Sequence, residues 1–214
     1  MFIELIDLLR CINDHEDTWL VASFQTVSNR YVLEASLGCP SCSAHYPIQG
    51  GVADFSLGEP AASCDEERGG ASHLREELAT RVGAYLNATQ PGATIVLGGL
   101  WAYAAHDLAE LADVRVVAVN APSEVKETSR VALVRAGTRI PLAPNSVHGV
   151  ALDAWFPAAM TQTAWRVVKP GGRVVGPASF DPPGESTVLA HDESYWVAEK
   201  PAQLVSLERP RPSP

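Results

Sequence analysis

The stretch with the clearest structural pattern is residues 94–119, TIVLGGLWAYAAHDLAELADVRVVAV. It begins with a short apolar run and two glycines, continues with apolar residues at helical spacing, and ends in a β-branched run. The pattern predicts a strand, a helix and a second strand. Short strands are also expected at 131–134, 147–152 and 173–175, with a helix at 160–168. Alternation of this kind is typical of an α/β fold built on a parallel sheet.

The segment that precedes this pattern has a different character. A short helix is expected to end near Cys11, followed by a β-hairpin turning at Ser28 and Asn29 and by two more short strands, which together indicate a small α+β module. The residues after it are rich in Gly, Pro, Ala, Ser and charge without any period, as in a linker. The expected organisation is a module at 1–56, a linker at 57–71, an α/β domain at 72–208 closed by strands at 195–199 and 203–207, and an extended tail at 209–214.

Composition narrows the classes of function. The longest apolar stretches, such as 92–105, are shorter than the roughly 20 residues that a membrane span requires. The N-terminal MFIELID carries acids where a secretory signal carries bases, so a cytoplasmic chain is expected. Residues 1–70 hold 3 Lys and Arg against 11 Asp and Glu. Because nucleic-acid affinity depends largely on Lys and Arg, this charge favours a protein partner and does not directly indicate nucleic acid.

Four cysteines suggest a metal site rather than a disulfide framework. Cys39 and Cys42 form a Cys-x-x-Cys knuckle, which supplies half of a tetrahedral zinc site. Cys11 is the expected third ligand and Asp14 the expected fourth, with His15 and His45 as competing candidates. The alternative is a set of reduced, metal-free thiols packed as small apolar groups.

The same residues resemble a known family. LIDLLRC at 5–11, LGCPSC at 37–42 and YPIQGGV at 46–52 look like the small zinc-binding activator subunit of tRNA and protein methyltransferases, over about residues 2–55. In that family a Cys-Pro-x-Cys pair opens the zinc site, and here Asp14 stands where the second cysteine would be. Family members cover an apolar surface of a methyltransferase, so the resemblance implies a methyltransferase-like neighbour, fused or separate.

The second segment resembles a class I methyltransferase with a trimmed Rossmann-like sheet. The resemblance is carried by WRVVKPGGRVV at 165–175 and IPLAPNSVHGV at 140–150. It implies an S-adenosylmethionine site at the turn after the first strand and an acid at the end of the second strand. Gly98 and Gly99 are the expected cofactor-binding residues at that turn, and Asn120 takes the place of the acid.

Several substitutions suggest that this cofactor site is degenerate. Within the glycine motif of the family, Val96 replaces an acid, and Leu100 and Ala102 replace glycines. Trp101 is a candidate to fill the pocket. No nucleophile constellation is evident, and the candidates for a catalytic or substrate-contacting role are His148 together with Asp153, Trp155 and Phe156 after the fourth strand.

Two main functions therefore remain, and RNA binding through the second segment ranks last, because its 13 Lys and Arg are nearly balanced by 14 Asp and Glu. The first is a methyltransferase-like pseudoenzyme that works as an accessory or stabilising partner. The second is an active methyltransferase in which Gly98, Gly99 and Asn120 bind S-adenosylmethionine and Asp153 or His148 orients a substrate.

Overall fold

The structure is a computed structural model that describes residues 1–58 and 72–202. In these residues eleven strands form one mixed sheet in the order β1-β2-β3-β4-β7-β6-β5-β8-β9-β11-β10. The strands are β1 (Val21–Ser28), β2 (Tyr31–Gly38), β3 (His45–Gln49), β4 (Val52–Phe55), β5 (Thr94–Gly98), β6 (Arg115–Val119), β7 (Val131–Ala136), β8 (Val147–Ala151), β9 (Val168–Pro177), β10 (Thr187–His191) and β11 (Tyr195–Glu199). The helices are α1 (Ser72–Leu86), α2 (Ala105–Leu111) and α3 (Ala158–Val167), with 3₁₀ helices at Ile3–Leu8 and Gly99–Ala104.

The second half of the sheet has Rossmann-like topology. Strands β7, β6, β5, β8 and β9 are parallel neighbours in that order, which is the 3-2-1-4-5 arrangement of a doubly wound sheet. Strand β11 then pairs antiparallel with β9, and β10 pairs antiparallel with β11. The α/β fold class predicted from the sequence is therefore confirmed.

The first half of the sheet is an antiparallel meander of β1 to β4. The hairpin turn between β1 and β2 is made by Asn29 and Arg30, which both have positive φ as two-residue hairpin turns require. Strand β4 runs parallel to β7, with Ala53 opposite Val134 and Phe55 opposite Ala136. The strands of the predicted module and of the predicted α/β domain thus form one continuous sheet.

The sheet has an apolar layer on each face. On one face α1, the second 3₁₀ helix and α2 pack against strand residues such as Ile95 and Val116. On the other face α3 and the first 3₁₀ helix pack against residues such as Val117 and Val134. Residues 120–130 contain no helix, which confirms that the connection between β6 and β7 is trimmed.

The first 3₁₀ helix joins the two halves of the sheet. Leu9 forms a β-bridge with Leu142, the Arg10 backbone N–H donates to the Pro141 carbonyl (2.9 Å), and the Ala143 N–H donates to the Leu8 carbonyl (2.8 Å). The predicted helix is therefore present, but it is 3₁₀ and ends at Leu8, because the chain then turns into extended backbone.

Two local predictions differ from the structure. The strand predicted at 173–175 begins earlier, because residues 169–172 lie inside β9 as an irregularity with positive φ at Gly171 and a register shift against β8. The predicted partner of β11 was 203–207, which lies outside the described residues, and β11 pairs instead with β9 and β10. Most of the predicted linker, with Cys64, and the predicted tail are likewise outside the described residues. No described helix is both long and apolar enough to cross a bilayer.

Candidate functional site

Three thiols and one imidazole converge where the first 3₁₀ helix meets the knuckle before β3. The ligand atoms of Cys11, His15, Cys39 and Cys42 all lie within 4.8 Å of one another. The Cys11 and Cys42 Sγ atoms are 3.6 Å apart, and the Cys39 Sγ lies 3.3 Å from His15 Nε2. A tetrahedral zinc ion with Zn–S bonds of about 2.3 Å requires S–S separations of about 3.8 Å, so these residues fit zinc.

The surroundings of the cluster favour metal ligation. His15 Nδ1 lies 2.7 Å from the Glu16 carbonyl oxygen, so an Nδ1–H donated to that oxygen leaves Nε2 free to coordinate. The Asn13 amide donates to Cys42 Sγ, and the Tyr46 hydroxyl lies 3.1 Å from Cys11 Sγ. The sequence contains no signal for the Tyr46 contact, because the strand that carries it is not adjacent to Cys11 in the chain.

One of the three residues that the sequence left open for the fourth position lies beside the thiols. His15 is in the cluster, whereas Asp14 and His45 are outside it. The Asp14 carboxylate points away and forms an ion pair with Arg139 (2.6 Å), a residue of the α/β segment. Asp14 and His15 face different sides because the chain bends after Cys11 and directs consecutive side chains apart.

The pKa values of Cys42 and Cys11 are shifted in opposite directions. Hydrogen bonding from the Ala44 backbone, followed by Asn13, lowers the pKa of Cys42 to about 6. Burial raises the pKa of Cys11, and burial likewise raises the pKa of Tyr46. The exposed Cys42 is therefore the first of the two shifted thiols to become a thiolate, which is the form that binds metal.

A cleft of about 430 Å³ separates the cluster from α3. Its lining includes Cys11 and His15 on one side and Gln162 and Thr163 of α3 on the other. Two ion pairs cross between the halves of the chain here, Asp14 with Arg139 and Asp17 with Arg166 (3.0 Å). Both pairs are exposed to solvent and therefore contribute little to stability.

The second candidate site is the turn after β5, where Gly98 leads into Gly99 and the 3₁₀ helix. The turn is closed by residues from the loop after β8. The Leu100 backbone N–H donates to the Asp153 carboxylate at 2.5 Å, and a Cβ on Gly99, whose φ is +61°, would overlap that carboxylate. A Cβ on Gly98 would lie 2.7 Å from Leu152 and 2.8 Å from Phe156. The space above both glycines is therefore occupied by side chains of this chain.

Asp153 is a buried acid held by backbone donors. It is only 1% exposed, and its second carboxylate oxygen accepts the Trp155 N–H at 3.0 Å. Burial raises the pKa of Asp153, and the hydrogen bonds from Leu100 and Trp155 partly oppose that rise. Phe156 is buried beside it, whereas Trp155 is exposed.

Asn120 directly follows β6, at the same edge of the sheet. Its amide nitrogen donates to the Ala136 carbonyl and its amide oxygen accepts the Ala136 N–H, both at 2.8 Å. These two bonds join the ends of β6 and β7. The side chain that was predicted to bind ribose is thus turned toward the backbone of the neighbouring strand.

His148 and Trp101 lie away from this turn. His148 is at the amino end of β8, the edge opposite Asp153, where it accepts the Thr94 N–H and lies 3.4 Å from Lys169 Nζ. Burial and then Lys169 lower the pKa of His148. Trp101 packs against Tyr85 and Tyr195 on the α1 side rather than filling the pocket. Neither residue is brought together with Gly98, Gly99 and Asp153.

Comparisons with known proteins give matches among solved structures alone. No family model matches the chain, and no curated protein matches it significantly. A chain assigned as an S-adenosyl-L-methionine-dependent methyltransferase from Methanococcus maripaludis is 11% identical, with a TM-score of 0.47 over 63% of this chain and 88% of that one. A chain from the complex between the Haloferax volcanii Trm112 methyltransferase activator and a methyltransferase is 15% identical, with a TM-score of 0.46 over 62% of this chain and 92% of that one.

Other similar structures are much longer. The MycE methyltransferase of the mycinamycin pathway, in complex with Mg, SAH and mycinamycin VI, is 11% identical, with a TM-score of 0.45. The match covers 60% of this chain and 48% of MycE. The chain spans 46% of a sarcosine dimethylglycine methyltransferase from Galdieria sulphuraria. Each of these structures is similar to part of this chain, and their activities, ligands and partners are properties of those proteins.

Proposed function

We propose that this chain is a methyltransferase-like protein with a closed cofactor site, and that it works as a non-catalytic accessory subunit that stabilises a protein partner. The observation that carries the proposal is the position of Asp153 and Phe156 over Gly98 and Gly99. In a Rossmann-like site the backbone of this turn approaches the cofactor. Here the Leu100 N–H at this turn donates instead to the side-chain carboxylate of Asp153.

The end of β6 supports the same proposal. Ribose recognition relies on a carboxylate that accepts hydrogen bonds from the ribose hydroxyls, and Asn120 supplies no charge. Both polar groups of its amide are bonded to Ala136. Binding a ribose through Asn120 would therefore require breaking two buried hydrogen bonds.

Calorimetric titration with S-adenosylmethionine tests the closed site. We expect no heat of binding up to millimolar ligand while circular dichroism shows a folded protein. Micromolar affinity, about −8 kcal/mol, would overturn the proposal. Affinity purification of the full chain from native extract should also recover one protein partner in stoichiometric amount, and failure to recover one under gentle conditions counts against the accessory role.

The second candidate is an active S-adenosylmethionine-dependent methyltransferase with an atypical pocket. It is favoured by one observation, the retained glycine turn with an acid, Asp153, at the carboxyl end of β8. Ligand entry would require the Asp153 and Phe156 side chains to leave the turn. In that case the nearly isosteric Asp153→Asn should abolish methyl transfer while circular dichroism shows a folded chain, and unchanged transfer would exclude Asp153 from this role.

We also propose that Cys11, His15, Cys39 and Cys42 bind one structural zinc ion and that residues 1–56 act as a built-in counterpart of the activator subunit, in the reducing cytoplasm. Elemental analysis should find about one zinc per chain. Cys39→Ser should lose the metal, whereas Asp14→Asn should keep it, because Asp14 is bonded to Arg139. Loss of zinc from both variants would place Asp14 among the ligands. If the unmodified chain contains no zinc, the three cysteines are metal-free thiols.

A further inference from the structure

Strand β1 is an open edge of the sheet without the usual protection. Among the described segments it pairs with β2 on one side alone. Its eight residues, VASFQTVS, include no charged residue and no proline. Natural edge strands are normally protected from pairing with another chain by charges, prolines or a covering segment. The one protective feature within β1 is its irregular pairing at residues 24–27, where the register against β2 shifts twice.

The apolar layer of the sheet continues onto β1 but is not covered there. Phe24 lies opposite Ala35 and Val27 lies opposite Val32, and both β2 residues are buried. The β1 side chains are nevertheless about half exposed, Phe24 by 46% and Val27 by 45%. Burial of apolar side chains away from water is favourable, so this face is suited to contact with a further protein surface.

A second apolar exposure lies at the start of the strand. Trp19 is 70% exposed and Val21 is 65% exposed. Trp19 borders a groove of about 350 Å³ that is also lined by Asp7 and Arg10, with the Arg10 guanidinium 5.2 Å from the Trp19 ring. An anion and a cation therefore stand together at this end of β1.

The other end of β1 carries the same pair of charges. Arg30, at the hairpin turn, is 74% exposed and bonds Glu4 at 2.6 Å. A strand that pairs antiparallel with its own copy about a two-fold axis places the start of each strand beside the end of the other. Asp7 then lies toward Arg30 of the partner subunit, and Arg10 toward Glu4 of the partner subunit.

We infer that a second copy of this chain occupies the β1 edge, joining two sheets through antiparallel pairing of β1 with β1. The two-fold axis passes near Phe24, so that Phe24 approaches Phe24 of the partner subunit and the uncovered apolar faces adjoin. Backbone hydrogen bonds supply the pairing, the two-fold axis makes it antiparallel, and at each end an acid of one copy then faces an arginine of the other. This inference is independent of whether the chain binds S-adenosylmethionine.

Light scattering coupled to size-exclusion chromatography tests the inference on the full chain. Loaded from about 1 to about 100 μM, a range that covers moderate affinities, the protein should reach the mass of a dimer. Phe24→Lys and Val27→Lys should each weaken the dimer at least tenfold, because each puts a charge on the pairing face. Val188→Lys is the matched control, since Val188 is a half-exposed valine on β10, the opposite edge of the sheet.

Amide hydrogen exchange gives a second measurement. Exchange at β1 should slow with increasing protein concentration and become independent of concentration in Phe24→Lys, while exchange at β10 is unaffected. A monomer at every concentration overturns the inference and leaves β1 to a strand of another protein. A dimer that Val188→Lys disrupts, or that neither β1 variant disrupts, overturns it as well. Melting curves of the variants separate loss of pairing from loss of folding.

Discussion

Replacing Asn120 by alanine should destabilise the chain far more than replacing another asparagine of the same backbone conformation. The Asn120 amide makes two hydrogen bonds of 2.8 Å to the Ala136 backbone, and both residues are buried. Alanine at this position removes both bonds. The Ala136 N–H and carbonyl are then left in a place that water does not readily reach.

The magnitude follows from the two unpaired groups. A buried polar group without a partner costs about 1–3 kcal/mol, so two of them lower the free energy of unfolding by about 2–4 kcal/mol after partial relaxation. Asn120 also has a φ of +48°, which is strained in alanine. Asn87 has a φ of +50° and an exposed side chain, so Asn87→Ala carries the same backbone strain without the lost bonds.

Urea unfolding of the two variants and the unmodified chain, at matched zinc content, measures the difference. We expect Asn120→Ala to lose at least about 2 kcal/mol more than Asn87→Ala, with unchanged m values. Asn120→Asp should also be destabilising, because a carboxylate oxygen would face the Ala136 carbonyl. If the two alanine variants differ by less than about 0.5 kcal/mol, the bonds to Ala136 do not fix the end of β6, and Asn120 is available to a ligand.

Three other predictions concern the same sites. Burial raises the pKa of Asp153 above its ordinary 3.8, so the native chain holds this proton more tightly than the unfolded chain. The contribution of Asp153 to the free energy of unfolding therefore falls as pH rises from 3.8 through the raised pKa. Urea unfolding at a series of pH values should show this decrease in the unmodified chain and not in Asp153→Asn. The same pH dependence in both proteins would contradict the prediction. A chelator that removes zinc should lower Tm by about 6–12 °C in both the unmodified chain and Asp14→Asn, which corresponds to about 3 kcal/mol at this chain length. An unchanged Tm would show that the metal has no structural role. Gly98→Ala should cost about 1–3 kcal/mol, because its Cβ meets Phe156 and Leu152, and the cost should shrink in a Phe156→Ala background. A double-mutant cycle measures this coupling, and strictly additive costs would refute the contact.

The sequence predicts most elements of the fold because local patterns determine them. The runs at 94–119 follow the periods of a strand and a helix, and the structure has β5, α2 and β6 there. The pairing of β4 with β7 was not predictable in the same way, because it joins strands far apart in the chain and depends on tertiary packing. Strand β10 escaped prediction because all its residues are exposed, so it lacks the apolar alternation that marks a half-buried strand.

The candidate sites were predictable in composition but not in contacts. The knuckle spacing indicated the thiols, yet Asp14 and His15 are neighbours, and a single residue of turn geometry decides which of them faces Cys39. The loss of glycines after β5 was visible in the sequence. The occupant of that space was not, because Asp153 and Phe156 reach it from a loop more than fifty residues later.

The first 3₁₀ helix explains how a trimmed sheet remains covered. Residues 120–130 form no helix, so the faces of Val117, Val119 and Val134 need another source of apolar contact. Leu5 and Leu9 belong to the same buried cluster and are fully buried themselves. In a two-chain assembly such cover would be lost on dilution, whereas covalent linkage holds it at a high effective concentration. A chain that carries its own cover can therefore shorten the connection between β6 and β7 without exposing the sheet, and the two halves are expected to unfold together rather than separately.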